Sequence, residues 1–200
     1  MKTLLIMRHA KSSWKDKNLS DMDRPLNKRG EHDAPLIGRL LRERELIPQL
    51  ILCSTALRAR ETADIVAKEC GCESKLTLLD TLYMAESNVV FEELKKLSDD
   101  IERVLIIGHN PGLEMFLQLM SKRIESLPTA ALAYLALPIK TWAEFSDQDG
   151  AELVEFWLPD DAKEILKTKG KEKEKAVEKA KEKGKKKTEP AKEKKKKKAK

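Results

Sequence analysis

Residues 4–10 read Leu-Leu-Ile-Met-Arg-His-Ala, an apolar run that stops on an arginine–histidine pair. A second apolar run, Val104 to Ile107, stops on Gly108-His109-Asn110-Pro111-Gly112, and a third, Leu50 to Cys53, runs into Ser54 and then Arg58. In an open α/β sheet, ligands sit at the carboxyl ends of the strands. Three strand ends therefore deliver Arg8, His9, Arg58 and His109. Phosphoryl transfer calls for positive charge around three non-bridging oxygens, with a nucleophile in line. Arginine's planar fork matches phosphate geometry and stays charged. A neutral imidazole attacks phosphorus directly, and a second imidazole, if protonated, donates to an oxygen of the transferring group. Arg58 and His109 also stand where a strand hands over to a helix, whose N-terminus favours an anion.

The elements that must hold these residues are legible in the hydropathy pattern. Apolar runs of strand length alternate with amphipathic stretches, which predicts βαβ units and a mostly parallel sheet. Strands are expected near 3–8, 49–53, 76–79, 103–108, 131–137 and 152–158, and helices near 33–45, 55–69, 88–98 and 112–121. The last helix has Leu113, Phe116, Leu117 and Met120 at i, i+3, i+4 and i+7. Asn110 as N-cap, Pro111 at the first helical position and Glu114 in the first turn mark its start. For the first helix, Asn27 and Asp33 are equal candidates for the N-cap, because Pro35 breaks a hydrogen bond if the helix begins at Asn27.

Charge is segregated along the 200 residues. Residues 161–200 carry 19 Lys and 8 acidic residues, a net +11, whereas residues 1–160 carry 21 basic and 26 acidic residues, a net −5. The net +6 thus belongs to the tail, and residues 1–160 do not read as a basic nucleic-acid binder. Beyond Thr168 only Val177 has a large apolar side chain, and Gly170, Gly184 and Pro190 interrupt any helix. Such a segment cannot offset its ordering entropy by burial. We expect a folded domain over 1–166 and a disordered Lys/Glu-rich tail over 167–200. The tail's expected partners are polyanions, contacted without specificity.

Cys53, Cys70 and Cys72 make a poor disulfide framework, with Cys70 and Cys72 expected as small residues at a helix end. No secretory leader opens the chain and no run approaches bilayer-spanning length, so a reduced cytoplasmic protein is expected, with no membrane partner. Nothing demands a dimer, and a monomer is expected. A metal site from His9, His109 and Cys53 is disfavoured: no close-spaced ligand pair supports it, and two arginines repel a cation. No cofactor is expected. His32 lies among charged residues and reads as solvated.

Taken together, these motifs resemble one family. Arg8-His9-Ala10 resembles the Arg-His-Gly signature of the histidine phosphatase (phosphoglycerate-mutase-like) superfamily. The segment Ser54-Thr55-Ala56-Leu57-Arg58-Ala59-Arg60-Glu61-Thr62-Ala63 resembles its Ser-Pro-x-x-Arg-Ala-x-Gln-Thr-Ala stretch, and Gly108-His109-Asn110-Pro111-Gly112-Leu113-Glu114 resembles its second-histidine motif. Asp23-Arg24-Pro25-Leu26-Asn27-Lys28-Arg29-Gly30 and Leu82-Tyr83-Met84-Ala85 are similar to the SixA-like phosphohistidine phosphatase branch. The resemblance spans residues 1 to about 166. It implies a three-layer α/β sandwich with a mostly parallel central sheet flanked by helices. It also implies His9 as nucleophile and phosphohistidine intermediate, and Arg8, Arg58 and His109 as the phosphate pocket. Ala10 stands where the family has glycine, Thr55 where it has proline, and Lys15 where mutase-like members carry a phosphate-binding asparagine.

The general acid is the informative gap. Superfamily members that cleave alkyl phosphates place a carboxylic acid before the second-histidine strand. Here Asp80, Glu86, Glu92 and Glu93 fall in that segment, none in a matching context. An alkoxide leaves badly unless protonated. An imidazole already protonated on its own ring departs as a neutral molecule. The sequence therefore favours P–N over P–O substrates, and its short connections favour an open site that admits a phosphohistidine-carrying protein. The competing readings are a small-molecule phosphomonoesterase with Glu86 as acid, and a polyanion-binding protein acting through its tail.

Overall fold

The computed structural model describes residues 1–72, 76–123 and 126–172. The chain divides into two units, Met1–Lys163 and Glu164–Lys200. In the first, six strands form one sheet: β1 (Lys2–Arg8), β2 (Leu50–Ser54), β3 (Leu76–Leu79), β4 (Arg103–Gly108), β5 (Leu132–Leu137) and β6 (Glu152–Trp157). Their order across the sheet is β3-β2-β4-β1-β5-β6. Neighbours among β3, β2, β4 and β1 run parallel, while β5 is antiparallel to β1 and β6 antiparallel to β5. Four helices accompany them: α1 (Lys28–Glu43), α2 (Leu57–Cys70), α3 (Ser87–Lys95) and α4 (Gly112–Ser121).

The central strands are those the sequence writes as unbroken apolar runs. Leu4 to Met7 and Val104 to Ile107 are fully buried, as strands covered on both faces must be. Period-2 alternation sends Leu4, Ile6, Val104 and Ile106 into one core with Leu94 of α3 and Phe116, Leu117 and Met120 of α4. Phe91 and Phe145 close this core with ring centroids 5.2 Å apart. On the other side α1 packs on α2 so closely that a Cβ on Gly38 would lie 2.6 Å from the Cβ of Glu69. The three layers and mostly parallel sheet expected from the sequence are thus present.

The first helix starts at one of its two expected caps, while the cap of the fourth helix and one cysteine pair differ from expectation. α1 begins at Lys28, because the Asn27 side chain accepts hydrogen bonds from the amides of Arg29 and Gly30. Asp33 is no cap; it pairs with Arg29 and His32 on the helix itself. At α4 the cap position is Pro111, without a side-chain cap. Asn110 Nδ2 is spent instead on Glu114 Oε2 at 2.7 Å and Leu127 O at 2.9 Å. Cys70 and Cys72 are joined as a disulfide across Gly71, whose left-handed conformation (φ 79°) ends α2.

Residues 159–172 are helical. The expectation of disorder from residue 167 is therefore corrected over 167–172, where helix continues; residues 173–200 lie outside the described residues. Among the described residues, no helix is long and apolar enough to cross a membrane.

Candidate active site

The parallel register of β1 and β4 pairs Arg8 with Gly108, so the residues that follow, His9 and His109, emerge side by side. The His9 amide donates to Gly108 O at 3.0 Å, and the two imidazole centroids lie 5.0 Å apart. β2, the other neighbour of β4, ends at Ser54, whose Oγ is 2.8 Å from His109 Nε2. From the first turn of α2, the Arg58 side chain reaches both rings. Its Nε donates to His9 Nε2 and its Nη2 to His109 Nδ1, each at 3.3 Å.

These contacts set the tautomers. His9 Nδ1 is 2.7 Å from Ala10 O, an acceptor, so Nδ1 carries the proton and Nε2 carries the lone pair that accepts from Arg58 Nε. Ala10 is itself fixed: its amide donates to Thr62 Oγ1 at 3.0 Å, and Thr62 Oγ1 donates to Arg58 O at 2.6 Å. Burial pushes His9 down to about 3, with the Ala10 hydrogen bond opposing and His109, Arg58 and Arg8 adding to the fall. His109 falls to about 4, first from burial and then from Arg58, against the opposing charge of Asp21. Both rings are therefore neutral at neutral pH. The second imidazole is thus not protonated in the empty site; a bound phosphoryl dianion favours its protonation by simple attraction.

Arg8 projects from the end of β1, with Nη1 on Leu127 O at 3.2 Å and a buried Nε that has no partner. Burial lowers its pKa, Glu114 opposes this, and Arg58 adds to the lowering. Two guanidinium groups and two neutral imidazoles at adjoining strand ends make a pocket for a tetrahedral dianion beside a nitrogen lone pair.

All four residues singled out from the sequence meet here, and the others do not. Lys15 is exposed and touches none of the four, while His32 is exposed and faces Asp33 at 3.0 Å. Cys53 points to the opposite sheet face from Ser54, donates to Ser54 O, and has its thiol pushed up by burial, so it does not join the histidines. Glu86 and Asp80 are exposed, Glu92 pairs with Lys95, and Glu93 pairs with Lys96.

The sequence reading missed Asp21. The segment 11–26 leaves β1 and returns to α1, pinned by Ser13 N to Pro25 O at 2.8 Å, Leu26 N to Glu61 Oε2 at 2.6 Å, and Leu57 N to Met22 O at 2.9 Å. Pinned so, it lays Asp21 on Arg58: Oδ2 accepts from Arg58 Nη2 at 2.9 Å, and the Asp21 carbonyl accepts from Nη1. Tyr83 Oη donates to Asp21 Oδ2 at 2.9 Å, and its ring stands edge-on to His109 at 5.6 Å. The one signal in the sequence was the branch resemblance over residues 23–30, which begins just after Asp21, and over 82–85, which contains Tyr83 without singling it out.

The histidine phosphatase superfamily (branch 1) profile matches residues 4–83. A protein of Mycobacterium tuberculosis is 35% identical over 164 residues, 76% of this chain and 99% of its own length. This chain belongs to the histidine phosphatase superfamily. Within it the chain lies in the SixA-like branch. The SixA chain of Agrobacterium tumefaciens superimposes with a TM-score of 0.68 at 27% identity, covering 79% of this chain and 98% of that one. A chloroplastic Arabidopsis thaliana protein is 33% identical over 150 residues, 70% of this chain and 69% of its own length. This histidine phosphatase thus has relatives that match 70–76% of its chain, and the superfamily supports a phosphatase that acts as a hydrolase.

Proposed function

We propose that this histidine phosphatase removes the phosphoryl group from phosphohistidine in a protein, through a phosphohistidine intermediate on His9. The observation that carries this reading is the pairing of a neutral imidazole, its lone pair on Nε2 beside Arg58, with the absence, among the described residues, of a protonated carboxyl group in contact with the pocket. His9 Nε2 accepts from Arg58 Nε, a hydrogen bond that it exchanges for the bond to phosphorus, and its proton is held on the far nitrogen by Ala10 O. Asp21, the carboxylate that touches Arg58, is held below its usual range: burial would raise it, but the Tyr83 hydrogen bond and the Arg58 charge outweigh burial. It is ionised at neutral pH and has no proton to give an alkoxide. The SixA likeness supports the same substrate class.

In the first half-reaction the His9 lone pair forms a bond to phosphorus as the substrate's P–N bond breaks. Arg8 and Arg58 hold the three non-bridging oxygens, over which the charge of the transition state is spread. In the second, water takes the phosphoryl and His9 returns to the neutral Nδ1–H tautomer. The test is a substrate panel compared by kcat/KM: a phosphohistidine protein, a phosphohistidine peptide, para-nitrophenyl phosphate and several sugar phosphates. The phosphohistidine substrates should lead. Sugar phosphates ahead of them would replace this reading with that of a small-molecule phosphomonoesterase.

A further inference from the structure

Transfer between two histidines is chemically symmetric. Each imidazole that gives up phosphorus leaves as a neutral ring only if its other nitrogen carries a proton, and in a partly dry pocket that N–H needs an acceptor. For His9 the acceptor is Ala10 O. The substrate's ring needs its own.

We infer that Asp21 is that acceptor: its carboxylate takes the N–H of the substrate's imidazole, on the nitrogen without phosphorus, and holds the ring as an imidazolium until the P–N bond breaks. The inference rests on the phosphohistidine reading above. The first support is position. Arg58 meets His9 through Nε and meets Asp21 through its two terminal nitrogens, so one guanidinium has the nucleophile at one end and the carboxylate at the other. A phosphoryl seated on that guanidinium has its leaving group opposite His9, on the Asp21 side. The second support is capacity. A carboxylate has about four acceptor sites. Asp21 Oδ2 uses two, for Arg58 and Tyr83, and Oδ1 uses one, for Arg24 Nε at 3.0 Å, which leaves one on Oδ1. The third is access. The Asp21 side chain is 42% exposed where Arg58 is 2% exposed, so it stands at the mouth of the pocket. Arg24, buried and stacked on Trp14 with its guanidinium carbon 3.4 Å from the ring centroid, holds the carboxylate by Oδ1.

The step balances. The substrate ring enters with its distal nitrogen protonated. The His9 Nε2 lone pair becomes the new P–N bond, and the electrons of the old one return to the substrate's ring nitrogen. That ring leaves neutral, its proton still on the nitrogen bonded to Asp21, and His9 carries phosphoryl on Nε2 and the proton on Nδ1. Water then bonds to phosphorus, the P–Nε2 electrons return to His9, and the water's proton departs with phosphate.

The experiment compares wild type with Asp21→Asn on a phosphohistidine peptide and on para-nitrophenyl phosphate, whose phenolate departs without a proton. The amide oxygen still accepts from Arg58, while the charge is lost and an NH2 group replaces Oδ1, the oxygen that would take the substrate's N–H. The peptide-to-ester ratio of kcat/KM should fall by about thirtyfold, the scale of one hydrogen bond to a charged group. Parallel losses on both substrates would overturn the inference and leave Asp21 as a residue that positions Arg58. A wild-type rate on the peptide would overturn it too. If Asp21→Asn does not fold, as judged by thermal unfolding, Asp21→Ser carries the same comparison. A wild type that cleaves the ester but not the peptide sinks the substrate reading itself, which separates the two failures.

Discussion

Ser54 Oγ stands 2.8 Å from His109 Nε2, so the end of β2 holds the ring that emerges from β4 and turns its Nδ1 toward Arg58. The contact binds two neighbouring strand ends into one constellation with His9 and Arg58. It also means that the second histidine is oriented before any ligand arrives, which is the condition under which a polar group stabilises a transition state without reorganisation.

His9→Ala should abolish turnover on every substrate, because it removes the nucleophile, and His109, the other imidazole on Arg58, is held in place by Ser54. Wild type mixed with radiolabelled substrate and quenched in base should carry an acid-labile, base-stable label on His9. Label recovered on Ser54 or Cys53 would refute the mechanism.

Arg58→Ala and His109→Ala should each lower kcat more than they raise KM, by about 10²–10³, as for loss of one preorganised donor. Arg58 also fixes both imidazoles, so its loss should be the larger. Steady-state kinetics that match wild type in either variant would place the pocket elsewhere.

Glu86 is exposed and contacts none of the pocket residues. Glu86→Gln should therefore change phosphohistidine hydrolysis by less than about threefold, well short of the 10²–10⁴ of a true general acid. A hundredfold fall would bring the phosphomonoesterase reading forward.

The two buried histidines make stability depend on pH. Their folded values, about 3 and about 4, lie below the 6.5 of the unfolded chain, chiefly through burial. The unfolded state therefore takes up their protons first. Their contribution is complete above about pH 6.5 and is lost as pH falls from there toward 4 and 3. Between pH 7 and pH 5 each should cost about 2 kcal/mol. Denaturant unfolding at the two pH values checks this, with His9→Ala/His109→Ala as the comparison that should lose much less. Equal losses in both proteins would contradict neutral imidazoles in the native site.

For the Lys-rich tail, deletion of residues 173–200 should leave kcat on para-nitrophenyl phosphate unchanged and abolish retention on heparin, with retention by the full chain falling steeply as salt rises. The segment's charge is the reason, since residues 1–160 carry a net −5. Retention that survives the deletion would move the binding surface onto the folded domain.

Much of this was legible in the chain itself, because the signals are local. Unbroken apolar runs mark the buried strands β1, β2 and β4, and chemically expensive side chains at their ends mark the pocket, so Arg8, His9, Arg58 and His109 could be read without knowing how the strands pair. The tertiary structure decided what depends on approach through space. Asp21 sits in a polar segment of ordinary composition, and only the pinning of residues 11–26 to α2 and its N-terminus brings it onto Arg58, 37 residues away in sequence. The protonation of the histidines was decided the same way. A ring's tautomer follows from which partner it meets, the acceptor Ala10 O for His9 and the donor Arg58 Nη2 for His109, and its neutrality follows from burial beside two guanidinium groups. Hydrophobic periodicity is written residue by residue, whereas the electrostatics of a pocket are a sum over groups that only folding makes neighbours.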